Sequence, residues 1–334
     1  MDEHEAREVK AQLADYARQL SERVVRPADV SGGSSAPVLA LGLARQQDGS
    51  YQLAVRYRLG LSSVRSVARK VVDKIGPDDA DVRRTGRIRG LDDTTVRPRP
   101  PVIRAQSLGE TGRVRPLRPG VSIGHVDVSA GTLGAFVRVD GEVHVLSNYH
   151  VLSGTPAAEV GDVVLQPGRA DGGSAPEDGV ATLARRVELE PDGRGVVDCA
   201  IARLEGELAQ PDLQYPVGRI TTTAVVLGGE SVGKIGRTTA MTHGRVTAIE
   251  LDDVVVGYGE ELGELTFDNQ IEVESTGTGP FSRGGDSGSL VYREDGVAIG
   301  LLFAGSESGG DNGSGLTYVN PIDAVLAAFG ATLL

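Results

Sequence analysis

At 334 residues, 40% of them hydrophobic and 24% charged, the chain has room for two domains, or one large domain with an appendage, and for a sizeable core. The 46 glycines against five Phe, eight Tyr and no Trp favour tight turns and short strands over long helices. The net charge of −12 falls mainly on the C-terminal two-thirds, which makes that part a poor partner for nucleic acid; no run approaches the ~18 apolar residues of a membrane span, and the single cysteine, Cys199, cannot close an internal disulfide.

The opening Met1-Asp2-Glu3-His4-Glu5 is acidic and no apolar run follows it, unlike a secretory signal, so a cytoplasmic location is expected. Residues 3–25 are good helix formers with Val9, Leu13, Tyr16, Ala17, Leu20 and Val24 at spacings of three and four, which predicts an amphipathic helix within an N-terminal segment, 1–35. Ser31-Gly32-Gly33-Ser34-Ser35 ends it. A hairpin follows: Val38–Ala44, a turn at Asp48-Gly49, and Tyr51–Tyr57. A helix over 62–75 and a strand near Val82–Ile88 complete a small α/β module spanning 36–91.

Residues 92–119 combine arginines with Pro98, Pro100, Pro101, Pro116 and Pro119, a composition suited to an extended linker and a domain boundary. Its basic charge is most simply that of a solvated segment lying against its acidic neighbour. From Val121 to about Tyr318 the text reads as short strands divided by turn signals at Asp140-Gly141, Pro167-Gly168, Asp192-Gly193 and Asp295-Gly296, the pattern of a β-sandwich or β-barrel. A helix from Pro321 to Phe329 closes the chain. There is no internal repeat at a solenoid period.

Three stretches carry chemistry. In Arg283-Gly284-Gly285-Asp286-Ser287-Gly288-Ser289-Leu290-Val291, glycines free the backbone around a serine to turn N–H groups at Gly285 and Ser287 towards a developing oxyanion. A serine hydroxyl is a weak nucleophile unless a base takes its proton. Val145–Leu152 is an apolar strand pattern that ends at His150, where a base is fixed by the sheet yet faces a cleft. In Val196–Ala202 a lone carboxylate, Asp198, interrupts buried-looking sequence, which is costly unless something such as a histidine N–H pairs with it. Two of these alone have a plainer meaning: a turn before a strand, and a structural histidine.

Together, in the order His150, Asp198, Ser287, they resemble the triad of the chymotrypsin superfamily. The text from Gly120 onward is similar to trypsin-like peptidases of that superfamily, in a disulfide-free intracellular branch that includes narrow-leaf-type plant proteins and bacterial relatives. The resembling stretches are Ala130–Gly134, Leu146–Leu152, Leu165–Gly168, Val197–Ala202 and Gly285–Ser289. This implies a mainly β fold: two antiparallel six-stranded β-barrels, about 120–210 and 211–320, with a C-terminal helix over 321–330. His150 and Asp198 come from the first barrel and Ser287 from the second.

The resemblance also implies a serine endopeptidase acting through an acyl-enzyme on protein or peptide substrates, with an oxyanion hole at Gly285 and Ser287. Lys234-Ile235-Gly236 through Val246 is similar to the strand pair that opens the second barrel in bacterial members, where a basic residue at the position of Lys234 pairs with the residue corresponding to Asp286. Lys234→Met should then cripple turnover and leave the fold intact. The specificity pocket is walled by Phe281-Ser282-Arg283, by Phe303-Ala304-Gly305 and by Gly315-Leu316-Thr317, with no acidic residue at 281, so a small or apolar residue is expected before the scissile bond. Ser289 stands where many relatives have Gly, and Phe303 where the residue is usually small.

Other features count for little. Gly228-Gly229-Glu230-Ser231-Val232-Gly233-Lys234 has phosphate-loop spacing, but Ile235 replaces the Ser or Thr that would hold magnesium. Cys199 reads as a core thiol. His125, His144 and His243 lack ligand spacing and Asp78-Asp79-Ala80-Asp81 reads as a solvated turn, so neither metal nor cofactor is expected. Asn312-Gly313-Ser314 spells a glycosylation acceptor, which needs export to matter. The run from Gly305 to Gly315 reads as a loop bordering the pocket. Residues 1–119 are a candidate regulatory or partner-sensing module, and the competing function is a barrel kept as a protein-interaction module.

Overall fold

The computed structural model describes residues 1–24, 39–58, 62–90, 108–204, 206–306 and 308–334. The predicted break at 31–35 and residues 92–107 of the Arg/Pro segment lie outside these.

The predicted amphipathic helix spans Glu3–Val24 and buries Ala6, Leu13 and Ala17. Strands Leu39–Arg45 and Tyr51–Arg58 form the predicted hairpin, and helix Ser62–Ile75 returns the chain to strand Ala80–Thr85, parallel to Tyr51–Arg58. Both helices cover one face of this three-stranded sheet, where Leu13, Leu41, Leu53, Val55, Val67 and Val71 share a core. Each such side chain contributes roughly 1.5–3 kcal/mol of burial.

The sheet is continuous with the rest of the molecule. Leu39–Arg45 pairs antiparallel with the thirteen-residue strand Ala240–Asp252, with Leu41 opposite Asp252 and Leu43 opposite Ile249. Arg56, 2% exposed, fills the junction: it donates to Glu272 Oε2 at 2.7 Å and Oε1 at 3.0 Å, and to Asp81 Oδ2 at 2.7 Å. These bonds compensate an ion pair that would otherwise be costly to bury.

Residues 108–119 pack on the first barrel and reach the second at their N-terminal end. Leu117 lies in that barrel's core, Ser122 N–H donates to Glu110 O, and Leu108 N–H donates to Thr238 O. The first barrel is a curled antiparallel sheet of Ser122–His125, Gly131–Thr132, Ala135–Val139, Glu142–Ser147, Val163–Leu165, Gly179–Arg186 and Ala200–Leu204. Its two ends meet at the bend around residue 133, where Leu133 N–H donates to Val121 O and Gly134 N–H to Leu146 O. The C-terminal strand Thr332–Leu333, which the sequence pattern does not suggest, adds to Ala135–Val139.

The second barrel is a ring of six antiparallel strands: Ser231–Gly236, Ala240–Asp252, Gln270–Ser275, Thr317–Pro321, Val297–Ser306 and Leu290–Arg293, the last pairing back to the first. The fold is thus mainly β and of the chymotrypsin-like double-barrel type, with helix Ile322–Ala327 at its C-terminal end. A hairpin of Val254–Gly257 and Glu264–Phe267 projects beside the second barrel. Strand Ile88–Gly90 lies between Val254–Gly257 and Val297–Ser306. Among the described residues no helix is long and apolar enough to cross a membrane.

Candidate active site

His150 is carried by a one-turn helix, Tyr149–Leu152, that follows strand Glu142–Ser147, rather than by the strand end itself. Asp198 likewise stands just ahead of strand Ala200–Leu204 instead of within it. Side chains replace the ladder there: Asp198 N–H donates to Asn320 Oδ1 at 2.9 Å, and Asn148 Nδ2 donates to Asp198 O at 2.7 Å. The chain can therefore leave the sheet without stranding a buried backbone group.

The Asp198 carboxylate is wholly buried and fully engaged. Its Oδ2 lies 2.5 Å from His150 Nδ1 and accepts from Tyr258 Oη at 2.5 Å. Its Oδ1 accepts from the N–H of Tyr149 at 2.7 Å and that of His150 at 3.4 Å. Charge-assisted bonds of this kind fix an imidazole in one tautomer and one plane. The Tyr258 ring meets the His150 ring edge-on, with centroids 5.8 Å apart.

Ser287 belongs to a turn ahead of strand Leu290–Arg293 and is pinned across the barrel boundary. Its carbonyl accepts from Thr132 N–H at 2.8 Å, and Gly288 N–H donates to Leu302 O at 2.8 Å. Gly288 has φ of +90°, and a Cβ there would come within 2.0 Å of Ser147 Oγ, three residues ahead of His150. Only glycine fits so close an approach. Ser287 Oγ is buried and has no hydrogen-bond partner among the described residues, so a bond between it and His150 is not closed here. The N–H groups of Gly285 and Ser287 likewise donate no hydrogen bond among the described residues.

Asp286 organises the turn. Its carboxylate accepts from the N–H groups of Thr238 at 2.9 Å, Thr239 at 3.1 Å and Arg283 at 2.9 Å, from Thr239 Oγ1 at 2.8 Å, and lies 3.3 Å from Lys234 Nζ. Lys234 and Asp286 are both fully buried, and burial pushes the lysine below its ordinary range although Asp286 opposes the shift. Lys234 also bonds Thr239 Oγ1 and Ala240 O. Ser289 Oγ donates to Asp286 O at 2.7 Å, adding a bond that glycine could not make. A second brace crosses the barrels: Arg237 holds Asp171 at 2.6 and 2.7 Å, while its N–H reaches Thr132 Oγ1, which donates to Gly285 O.

The three segments assigned to a pocket wall are adjacent, but several of their side chains face inward. Ser282 Oγ and Thr317 Oγ1 are 2.7 Å apart, and Gly305 stands opposite Thr317. Gly315 is buried and its N–H donates to Gly309 O at 3.0 Å. Phe281, however, is a core side chain of the second barrel, packed with Val246, Val273 and Leu302. Phe303 and Leu316 belong to the cluster of Tyr149, Phe267 and Tyr318, with the Phe303 and Phe267 rings 4.9 Å apart. At those positions the side chains belong to the core, and the Phe303 ring does not stand in a cleft. Arg283 is exposed, while Ala304 and Gly305 are buried.

Tyr258, Asn320 and Asn148 complete the surroundings of Asp198 and are absent from the sequence argument. Asn148 lies inside a quoted stretch, where a polar residue between an apolar strand and a histidine is a usable signal. Cys199 is fully buried, and burial with the neighbouring Asp198 charge raises its thiol well above the ordinary range. Native protein at pH 8 should therefore resist iodoacetamide at Cys199 and react only after unfolding. Stoichiometric alkylation of the folded protein, read by mass spectrometry, would contradict this. Among the described residues no group of three or more His, Cys, Asp or Glu is placed to hold a metal.

The double-barrel fold, with a buried His–Asp pair in the first barrel and a glycine-bounded serine turn in the second, defines a protein of the chymotrypsin-like class. The model of the family described as "Trypsin-like peptidase domain" matches residues 131–301, and the chain belongs to that family. Solved structures similar to it include Thermobifida fusca Protease A, at 20% identity over 65% of this chain and 98% of that one, with a TM-score of 0.46. Nocardiopsis protease is 17% identical over the same shares, with a TM-score of 0.46. Cellulomonas bogoriensis chymotrypsin is 21% identical, again over 65% and 98%, with a TM-score of 0.43. No curated protein matches the chain.

Proposed function

We propose that the chain is a serine endopeptidase whose nucleophile, base and orienting acid are Ser287, His150 and Asp198. The observation that carries this reading is the 2.5 Å bond between His150 Nδ1 and a buried Asp198 carboxylate whose other oxygen is held by two backbone N–H groups. With Nδ1 protonated and turned to Asp198, Nε2 is the basic nitrogen. It takes the proton of Ser287 Oγ as the oxygen attacks a peptide carbonyl, then delivers that proton to the departing amine. Water attacks the acyl-enzyme by the same route. The open bond between Ser287 Oγ and the base closes as substrate binds, as catalytic hydrogen bonds often do.

The N–H groups of Gly285 and Ser287 would hold the oxyanion, each such donor being worth on the order of 10²–10³ in kcat. Lys234 and Asp286 act as positioning residues for that turn. No acidic side chain occurs in 281–283, 303–305 or 315–317, so the reading expects peptides with a small or apolar residue before the scissile bond. A fluorophosphonate probe tests the proposal: wild type should label on Ser287, and Ser287→Ala should neither label nor hydrolyse peptides. A folded wild type that never labels would overturn it.

A further inference from the structure

A peptidase must hold its substrate extended beside the nucleophile, and a peptide is held most simply by adding as a strand to a sheet edge. Such an edge starts beside Ser287. Gly288 N–H donates to Leu302 O and Leu302 N–H to Ser289 O, so residues 304–306 of strand Val297–Ser306 continue directly from the neighbours of the nucleophile. That edge is occupied by the chain itself. Strand Ile88–Gly90 pairs with it antiparallel, Gly90 opposite Ala304, Arg89 opposite Gly305 and Ile88 opposite Ser306. On its other side Arg89 stands opposite Gly257.

The inserted strand also points at the candidate active site. Gly90 is buried, and a Cβ there would lie 3.5 Å from the ring of Tyr258, the residue that bonds Asp198 and packs on His150. We propose that Ile88–Gly90 is an intramolecular inhibitory strand, lying where the main chain of a peptide substrate would lie, and that substrate binds as it is displaced. The proposal rests on the peptidase reading above.

The way the segment is held fits this use. Upstream, Ala80–Thr85 is fastened by six opposed residue pairs to Tyr51–Arg58 and by the bonds of Asp81 to buried Arg56 and of Arg83 to Glu274. Ile88–Gly90 has three residue pairs on one side and a single pair on the other, and only Ile88 packs a side chain against the neighbouring core. Its nearest ion pair, Arg87 with Glu264, is exposed enough to contribute little. Only Gly86 and Arg87 separate the firm strand from the weak one. An occupant tethered so closely competes at high effective concentration, independent of protein concentration. It raises the apparent KM by the reciprocal of the open fraction and leaves kcat alone.

The test uses the full chain and Ile88→Asp, which removes the one packed side chain of the strand. On a peptide substrate extending several residues before the scissile bond, Ile88→Asp should lower KM about tenfold with kcat unchanged, while its fluorophosphonate labelling rate stays that of wild type, because that small probe does not use the edge. A synthetic peptide of residues 84–90, added in trans, should raise KM again competitively. Should Ile88→Asp fail to fold, hydrogen exchange of wild type decides: a peptidyl phosphonate attached to Ser287 should expose the amides of 88–90, and a small fluorophosphonate should leave them protected. Equal KM in folded variant and wild type, or amides that stay protected under the peptidyl phosphonate, would overturn the inhibitory strand while leaving the peptidase intact. Absence of fluorophosphonate labelling in every form would remove the peptidase reading, and this proposal with it.

Discussion

Asp198→Asn should lower kcat by about 10⁴-fold while the protein folds normally and KM changes little. The surroundings of the carboxylate dictate how the amide sits. Two backbone N–H groups, of Tyr149 and His150, require an acceptor at the Oδ1 position, so the new NH₂ must take the Oδ2 position opposite His150 Nδ1. There it donates to Nδ1 and drives the imidazole proton to Nε2, the nitrogen that accepts the Ser287 proton in the proposed mechanism. Tyr258 Oη can rotate to accept the second amide hydrogen, which spares the fold. Steady-state kinetics on a peptide substrate measure the loss, and nitrogen NMR of His150 reads the tautomer. Activity within tenfold of wild type would mean that Asp198 does not orient the base.

The second large effect concerns stability. Lys234→Met removes the cation held against Asp286 and leaves a buried carboxylate without that counter-charge, a change that costs roughly 3–5 kcal/mol. From the sequence, turnover is expected to be lost with the fold intact; total burial of both partners adds a stability cost that position in the chain cannot show. The turn from Arg283 to Ser287 hangs on this carboxylate through the Arg283 N–H, so activity should fall about 10²-fold even under conditions where the variant remains folded, the scale of losing one oxyanion donor. Urea denaturation and kinetics on the same sample separate the two effects. An unchanged midpoint together with unchanged kcat would show that the remaining donors suffice.

His150, Asp198 and Ser287 are legible in the sequence because each breaks its local pattern: a lone acid in apolar text, a histidine after an apolar strand, a serine among glycines whose backbone geometry no other residue tolerates. A β-sandwich or β-barrel is legible from strand lengths and turn residues, the two antiparallel barrels only from the resemblance, and the helix at Glu3–Val24 from its spacing. Tyr258 and Asn320 are not, since they reach Asp198 only through tertiary folding, from 60 and 122 residues away. That the Phe281 and Phe303 rings turn into the core is not legible either, because resemblance aligns backbones and says little about which way a large ring turns. The hairpin at Leu39–Arg45 is plain in the pattern, but a strand pattern does not reveal which edge it will join, and here that edge lies two hundred residues away.

The junction at Arg56 bears on how this molecule can be dissected. Cutting away everything before the peptidase region would strip the Ile249–Asp252 end of the long strand Ala240–Asp252 of its outer neighbour and leave Glu272, wholly enclosed, without its guanidinium. A bared strand edge invites association between molecules, and an enclosed carboxylate without a counter-charge is a fault in the middle of a barrel. A truncated form that precipitates, or is inert, would therefore report the damage of the cut and reveal nothing about regulation; point changes within the intact chain are the informative route.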